Sequence, residues 1–389
     1  MPSAPPRPPD AARPSPAAGC RRGARRGERR RGRRTPPLLP TSGGRGGSTL
    51  RCPPASQGAT RVTETTDRQG RATGVDPAAG FRAVVDNVGR VIHGKDHVTE
   101  LVLLALLAGG HVLVEDVPGV GKTSLAKALA ASIDGTFGRI QFTPDMLPSD
   151  VVGVSIYDRS TGRFEFRPGP VFANIVLADE INRASPKTQS ALLESMAEGQ
   201  VTVAGETYPL EPPFLVLATQ NPAEHEGAYP LPDSQLDRFL LRVSVGYPSG
   251  EAEARMLDSD GSDEALASLR PVLSAADVVT MAAAVRRVHV ADPLRGYLVD
   301  LAAASRGHAR LALGMSPRAT LSLQRVAQAR ALVSGRDYVV PDDIKALAPP
   351  TLAHRLQLAS DAAISGTSRT RVVHELLERV PVPNARTPG

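Results

Sequence analysis

Cysteine is nearly absent from this 389-residue chain: Cys20 and Cys52 are the only two, and both fall in an arginine-rich leading stretch. The rest of the chain therefore has no disulfide framework and no thiolate metal site, which fits a reducing compartment. Acidic residues are scarce in the leading stretch. Residues 1–61 hold fourteen arginines against Asp10 and Glu28, a net charge of about +12, so the formal +6 of the whole chain leaves about −6 for residues 62–389. A basic chain would ordinarily suggest nucleic acid, but here the basicity belongs to the leading stretch alone. Aliphatic clusters are missing there too. A mixture of Arg, Pro and Gly cannot bury enough apolar surface to offset chain entropy, so residues 1–75 are expected to be a disordered tail. These are also the residues that GC-rich codons encode, and Val62 is a permitted bacterial start when encoded by GTG. A true start near Val62 is the expectation, and peptides from residues 1–50 in native mass spectrometry would overturn it.

Long apolar runs are missing as well. The longest, residues 101–114, is interrupted by Gly109, Gly110 and His111 and is too short to span a bilayer. The arginine-rich start is not followed by the apolar run of a secretory leader. A cytoplasmic chain with no membrane span is expected. The eight histidines are scattered without metal-ligand spacing and no Ser/His/Asp grouping coheres, so none is assigned chemistry; His225 reads as a loop residue. The acidic string at residues 258–264 lacks the ligand register of a calcium loop and reads as part of a linker.

What is present, from Phe81 onward, is an alternation of helical and short aliphatic segments. Phe81, Val84, Val85, Val88 and Ile92 recur at helical spacing, and residues 98–107 form a second apolar helix. Residues 111–115 read as a buried strand, 123–133 as a helix, and 175–178 and 214–218 as further strands. Such alternation predicts an α/β fold with a parallel sheet covered on both faces. Two hairpins are expected, over 151–166 around a turn at 159–162, and over 201–210 around 204–206. After an acidic connection, residues 274–377 are Ala/Leu-rich with helical period and one candidate short strand at 338–340. The expected division is a tail (1–75), an α/β core (76–248), a linker (249–270), a small all-α domain (271–380) and a second tail (381–389).

The segment Asp116-Val117-Pro118-Gly119-Val120-Gly121-Lys122-Thr123-Ser124 joins a strand to a helix. Glycines let backbone N–H groups turn toward phosphate oxygens, and the helix N-terminus adds partial positive charge. Lys122 would reach the β- and γ-phosphates, and Thr123 would offer its hydroxyl to Mg²⁺. Asp116 stands where the usual pattern has its first glycine. Residues 174–180 are apolar and end in Asp179, placed to hold the metal, and Glu180, placed to polarise an attacking water. The strand ending at Gln220-Asn221 offers an amide to the same water. Arg238, in Leu236-Asp237-Arg238-Phe239, and Arg318, in Gly314-Met315-Ser316-Pro317-Arg318-Ala319, read by themselves as surface charges.

The order of these blocks resembles the AAA+ ATPases. Their wording is similar to the MoxR family: Glu115 to Thr123, then Arg163-Phe164-Glu165-Phe166-Arg167-Pro168-Gly169-Pro170-Val171-Phe172, Ala178-Asp179-Glu180-Ile181-Asn182-Arg183-Ala184, Ala218-Thr219-Gln220-Asn221-Pro222, Leu231 to Phe239, and Gly314 to Ala319. The likeness covers residues 81–377 and accounts for Asp116. It implies a P-loop AAA+ core followed by a helical lid. It implies ATP and Mg²⁺ as cofactors, Asn221 as sensor 1, Arg318 as the lid arginine that reaches nucleotide from above the same site, and Arg238 as an arginine finger acting on a neighbouring subunit in a hexameric ring. Arg183 is a further candidate for such a contact. It also implies hairpins that line a pore or face the client, and protein clients carrying von Willebrand factor A domains. Magnesium-chelatase-type and nucleic-acid-linked motors are the alternatives. The acidic core and the absent helix-turn-helix signal oppose the latter. A scaffold that binds ATP without turning it over is opposed by the presence of Glu180, Asn221 and Arg238.

Overall fold

The computed structural model describes residues 75–117, 119–221, 229–247, 250, 253 and 262–383. Residues 1–74 and 384–389 of the expected tails, half of the linker with residues 258–261 of the acidic string, Pro118 and His225 lie outside them, while Ser262–Ser268 at the end of the expected linker is helical. The first strands are β1 (Val112–Glu115), β2 (Phe137–Gln141), β3 (Gly153–Asp158), β4 (Arg163–Pro168), β5 (Ile175–Asp179) and β6 (Gln200–Val203). They continue with β7 (Glu206–Pro209), β8 (Leu215–Gln220), β9 (Leu241–Val243), β10 (Leu311–Leu313) and β11 (Gln357–Leu358). Five of them form one parallel sheet in the order β2-β5-β8-β1-β9.

Period-two burial explains why the central strands read as unbroken aliphatic runs. Val112 and Val114 of β1, Ile175 and Leu177 of β5, and Leu215 and Leu217 of β8 enter one apolar cluster. Their alternates Leu113, Val176, Ala178, Val216 and Ala218 enter another on the opposite face. Both faces are dry, as a parallel sheet requires. Helices α1 (Pro77–Gly89), α2 (Asp96–Leu107) and α3 (Lys122–Ser132) contribute to the first cluster, and α4 (Pro148–Val152) and α5 (Pro186–Glu198) to the second. Helix α1 starts four residues before Phe81, because Asp76 accepts from the Ala78 N–H and Pro77 takes the first position, where a missing N–H costs nothing.

A short helix α6 (Asp233–Leu236) precedes β9, and the C-terminal part is helical, over Ala275–Val285, Asp292–Arg306, Pro317–Val333, Pro341–Leu352 and Arg369–Arg379. Its apolar residues join the first sheet cluster without a break. Residues 338–340 do not form the expected strand. Tyr338 makes only an isolated bridge with His289, while β10 and β11 pair antiparallel instead. The two expected hairpins are there: β3 and β4 close across Asp158 and Arg163, and β6 and β7 across Ala204-Gly205, both left-handed (φ 54° and 88°), which suits a two-residue hairpin turn. Among the described residues no helix is long and apolar enough to cross a membrane.

His111 pins the start of β1. Its Nδ1 accepts from the Val216 N–H at 3.1 Å, and its Nε2–H donates to the Met196 carbonyl at 3.0 Å. Burial pushes its pKa from 6.5 down to about 4, partly offset by the Met196 bond. The folded chain thus keeps this ring neutral where the unfolded chain protonates it. That stability contribution is complete above pH 6.5 and is lost as pH falls toward 4, to the extent of about 3 kcal/mol. Urea midpoints measured between pH 7 and 4 should fall for the native chain and fall less for His111→Gln.

Candidate functional site

In a parallel sheet all strand ends of one polarity share one edge, and ligands bind there. The C-terminal ends of β1, β2, β5 and β8 carry, respectively, the glycine loop, Gln141, Asp179-Glu180 and Gln220-Asn221. Helix α3 opens on Gly121, which has φ 85° and gives no side-chain cap. Gly119 has φ 84°, and a Cβ there would meet nothing within 4 Å, so the left-handed backbone and not crowding requires glycine. The first-turn N–H groups of α3 are thereby left to an outside acceptor, the arrangement that holds phosphate.

Gly119, Gly121, Lys122, Thr123, Ser124, Asp179, Glu180 and Asn221 line one cavity of about 330 Å³. Arg139 and Thr219 line it too and were not among the expected residues. Both organise the acids. Thr219 Oγ1 donates to Asp179 Oδ1 at 2.7 Å and accepts from the Glu180 N–H at 2.8 Å. Arg139 Nη2 bonds Asp179 Oδ2 at 2.8 Å, and Gln141 Nε2 donates to Glu180 Oε2 at 3.0 Å. Arg183 Nε lies 3.1 Å from that same oxygen. Glu180 itself has φ 56°, a left-handed backbone that costs a non-glycine residue about 1–3 kcal/mol, and such strain gathers at functional positions. Burial pulls the Lys122 pKa down, while Asp116, Asp179 and Glu180 push it back up without cancelling the effect.

Asp116 does not line the cavity. Its Oδ1 accepts from the Val117 N–H, and its Oδ2 from Ser244 and the Gly246 N–H. Burial raises its pKa, but these bonds outweigh that and hold the carboxyl below its usual range. Its carbonyl accepts from Lys122 Nζ at 2.8 Å. The residue in the glycine's place therefore ties the loop to the end of β9. Val117 is half-buried, and Val120 packs against the apolar cluster.

Arg238 and Arg318 are not in this cavity. Together they line another, of about 170 Å³, with Gly110, His111 and Leu240, which immediately precede β1 and β9. That places them at the opposite edge of the sheet. Ser316 caps the helix Pro317–Val333 by accepting from the Ala319 N–H, and its hydroxyl also reaches Asp237 at 3.1 Å. The Phe239 carbonyl accepts from Arg355 Nη2 at 2.6 Å and from His354 Nε2 at 3.0 Å. The block around Arg238 is thus docked onto the C-terminal helices through the residues on either side of it.

Sheet order, glycine loop and paired acids at the adjoining strand ends define the P-loop class of nucleotide-binding folds. The model of the ATPase family associated with various cellular activities (AAA) matches residues 111–241, and an AAA lid domain model matches residues 303–376. The chain is 44% identical to Chaperone MoxR1 of Mycobacterium tuberculosis over 78% of its own length and 82% of that protein. It is 52% identical to YeaC of Bacillus subtilis over 95% of that protein, and 32% identical to Protein MoxR of Methylorubrum extorquens over 96%. A crystal structure of a proposed ATPase from Cytophaga hutchinsonii, 40% identical, superposes with a TM-score of 0.73, covering 79% of this chain and 96% of that one. The chain belongs to the MoxR family of AAA+ ATPases: an AAA domain followed by a helical lid.

Proposed function

We propose that the chain binds and hydrolyses ATP in a closed ring, hexameric by family likeness, and uses the cycle to remodel client proteins. The observation that carries this reading is the convergence of Lys122, Thr123, Asp179, Glu180 and Asn221 on one cavity beside an uncapped helix N-terminus. The first-turn N–H groups and Lys122 bind the phosphates. Thr123 and Asp179 offer hard oxygen donors of the kind magnesium takes, few enough to leave room for phosphate oxygens. Bound there, the ion would neutralise charge on the β- and γ-phosphates. Gln141 and Arg183 both engage Glu180 Oε2, which leaves Oε1 to take the proton of the attacking water, with Asn221 orienting that water.

The ring reading rests on where Arg238 lies. The four residues of β1 separate the two sheet edges by about 13 Å, more than an arginine side chain bridges. If Arg238 and Arg318 meet a γ-phosphate, it is one held by another copy, and contacts of that heterologous kind form a ring where the rotation between copies closes. This sends Arg318 to the neighbour's nucleotide, whereas the sequence likeness had set it above the site of its own chain; it lines the far cavity and not that one.

The client reading rests on the hairpins. Tyr157 and Phe164 form an edge-on pair at 5.3 Å with both rings exposed, Phe164 by 74%. Phe166 of β4 stacks on Tyr208 of β7 at 4.0 Å, which joins the two hairpins. Proteins with von Willebrand factor A domains are the expected clients. Glu180→Gln should bind ATP, turn it over at least tens of times more slowly, and hold the client long enough for a pull-down. Enrichment of nucleic acid in place of a protein would sink the remodelling reading.

A further inference from the structure

The two oxygens of Asp179 are held in different ways. Oδ1 accepts from Thr219 Oγ1 at 2.7 Å, and the same hydroxyl accepts from the Glu180 N–H. Thr219 is 1% exposed and lies within β8, so the sheet itself fixes this bond. Oδ2 is paired with Arg139 Nη2 at 2.8 Å. Arg139 reaches it from β2, the strand beside β5 at the edge of the sheet, through a side chain that is 48% exposed. A long, half-exposed side chain can swing away where a buried threonine cannot. Oδ2 is therefore the oxygen whose partner can change.

Leaving costs Arg139 little. Its Nη2 also lies 2.7 Å from Gln141 Oε1, so the guanidinium keeps one acceptor when it gives up the carboxylate. Side chains two apart on a strand share a face, which keeps these two residues together. Among the described residues Arg139 is the one cation in ion-pair contact with Asp179; Lys122 Nζ bonds the Asp116 carbonyl instead. Such a pair is weak, because water competes for the exposed partner. Magnesium makes a harder demand on the same carboxylate. It requires oxygen ligands at about 2.0–2.1 Å in a near-ideal octahedron. A guanidinium kept on Oδ2 would repel the ion and occupy the lone pairs it needs.

We propose, on the nucleotide reading of this cavity, that Arg139 competes with magnesium for Asp179 Oδ2 and so sets how strongly the site depends on the ion. Arg139 is a positioning residue in this role: it holds the carboxylate in place, then yields it and stays on Gln141. The two strands beside β5 divide the work. Thr219 of β8 orients Asp179 whether or not the ion is bound, while Arg139 of β2 covers it only when the ion is not. The gain in ATP affinity that magnesium brings is then reduced by the work of displacing Arg139. This exchange needs neither hydrolysis nor ring formation nor a client, so binding alone can report it.

The test compares the affinity of the full chain for a fluorescent ATP analogue in excess magnesium with its affinity in EDTA, at equal ionic strength. The ratio of the two is the gain that magnesium brings. In Arg139→Ala that ratio should rise about fivefold, the upper end of what a partly exposed ion pair contributes. Arg139→Lys, which keeps a cation on β2 but not the planar fork, should fall between the native chain and Arg139→Ala. Circular dichroism checks that both variants fold. An unchanged ratio overturns the exchange: equal losses in both conditions make Arg139 an ordinary phosphate contact, and no loss in either leaves it without a role. A lowered ratio overturns it too. A native chain that binds no ATP even with magnesium removes the nucleotide reading, and this exchange with it.

Discussion

Lys122→Ala is expected to weaken ATP binding by about a hundredfold or more, while the chain still folds. A charge-assisted bond to phosphate contributes about 1.5–3 kcal/mol, and a tenfold change in affinity is 1.4 kcal/mol. The surroundings of Lys122 push the effect to the upper end. The ammonium is half-buried next to Asp179 and Glu180, so its removal leaves two acids facing the phosphates without a counter-charge. Folding should survive, because the one bond that Lys122 makes here goes to the Asp116 carbonyl, and the Asp116 N–H remains bonded to the Gln220 carbonyl across the sheet. Equilibrium binding of a fluorescent ATP analogue, with circular dichroism as the control for folding, measures this directly. Native affinity in the variant would remove the glycine loop from the site.

The edge that carries Lys122, Asp179, Glu180 and Asn221 is legible in the sequence for a simple reason. Each residue follows a short aliphatic run buried on both faces, and such runs stand out against their polar ends. Arg139 and Gln141 are not legible in this way. They sit on β2, an edge strand with one buried residue, Ile140, among five that include Gly138, so it reads neither as a run nor as a helix. Gly138 is needed there because a Cβ would collide with the Pro170 carbonyl. Thr219 is hidden differently, as an ordinary β-former one residue before the amides that draw attention. Asp116 is seen as a departure from pattern, but its bonds to Ser244 and Gly246 cross 128 and 130 residues of chain, a distance that no local pattern reports. The side of the sheet on which Arg318 emerges is set the same way, by Asp237, Phe239, Ser316 and Arg355 docking the lid.

Arg238→Ala is expected to leave ATP affinity near native and to lower kcat by about a thousandfold, equivalent to about 4 kcal/mol of barrier. Affinity is spared because Arg238 lines the far cavity and touches nothing in the cavity of its own chain. Turnover falls because a cation at the developing γ-phosphate charge acts mainly in the transition state. Truncation should not unfold the chain, since the bond Arg238 gives is to the Leu193 carbonyl, which lies inside helix α5. The decisive measurement is a mixture. Glu180→Gln retains the arginine and lacks the base; Arg238→Ala retains the base and lacks the arginine. If the cation is delivered between copies, mixing two nearly inactive proteins creates interfaces with one intact half from each, and activity rises well above the sum of the parts. If both groups serve the same chain, no mixture contains a complete site and activity stays flat. A flat result, with mixed assembly verified by native mass spectrometry, would exclude Arg238 from the neighbour's site and with it the structural argument for the ring.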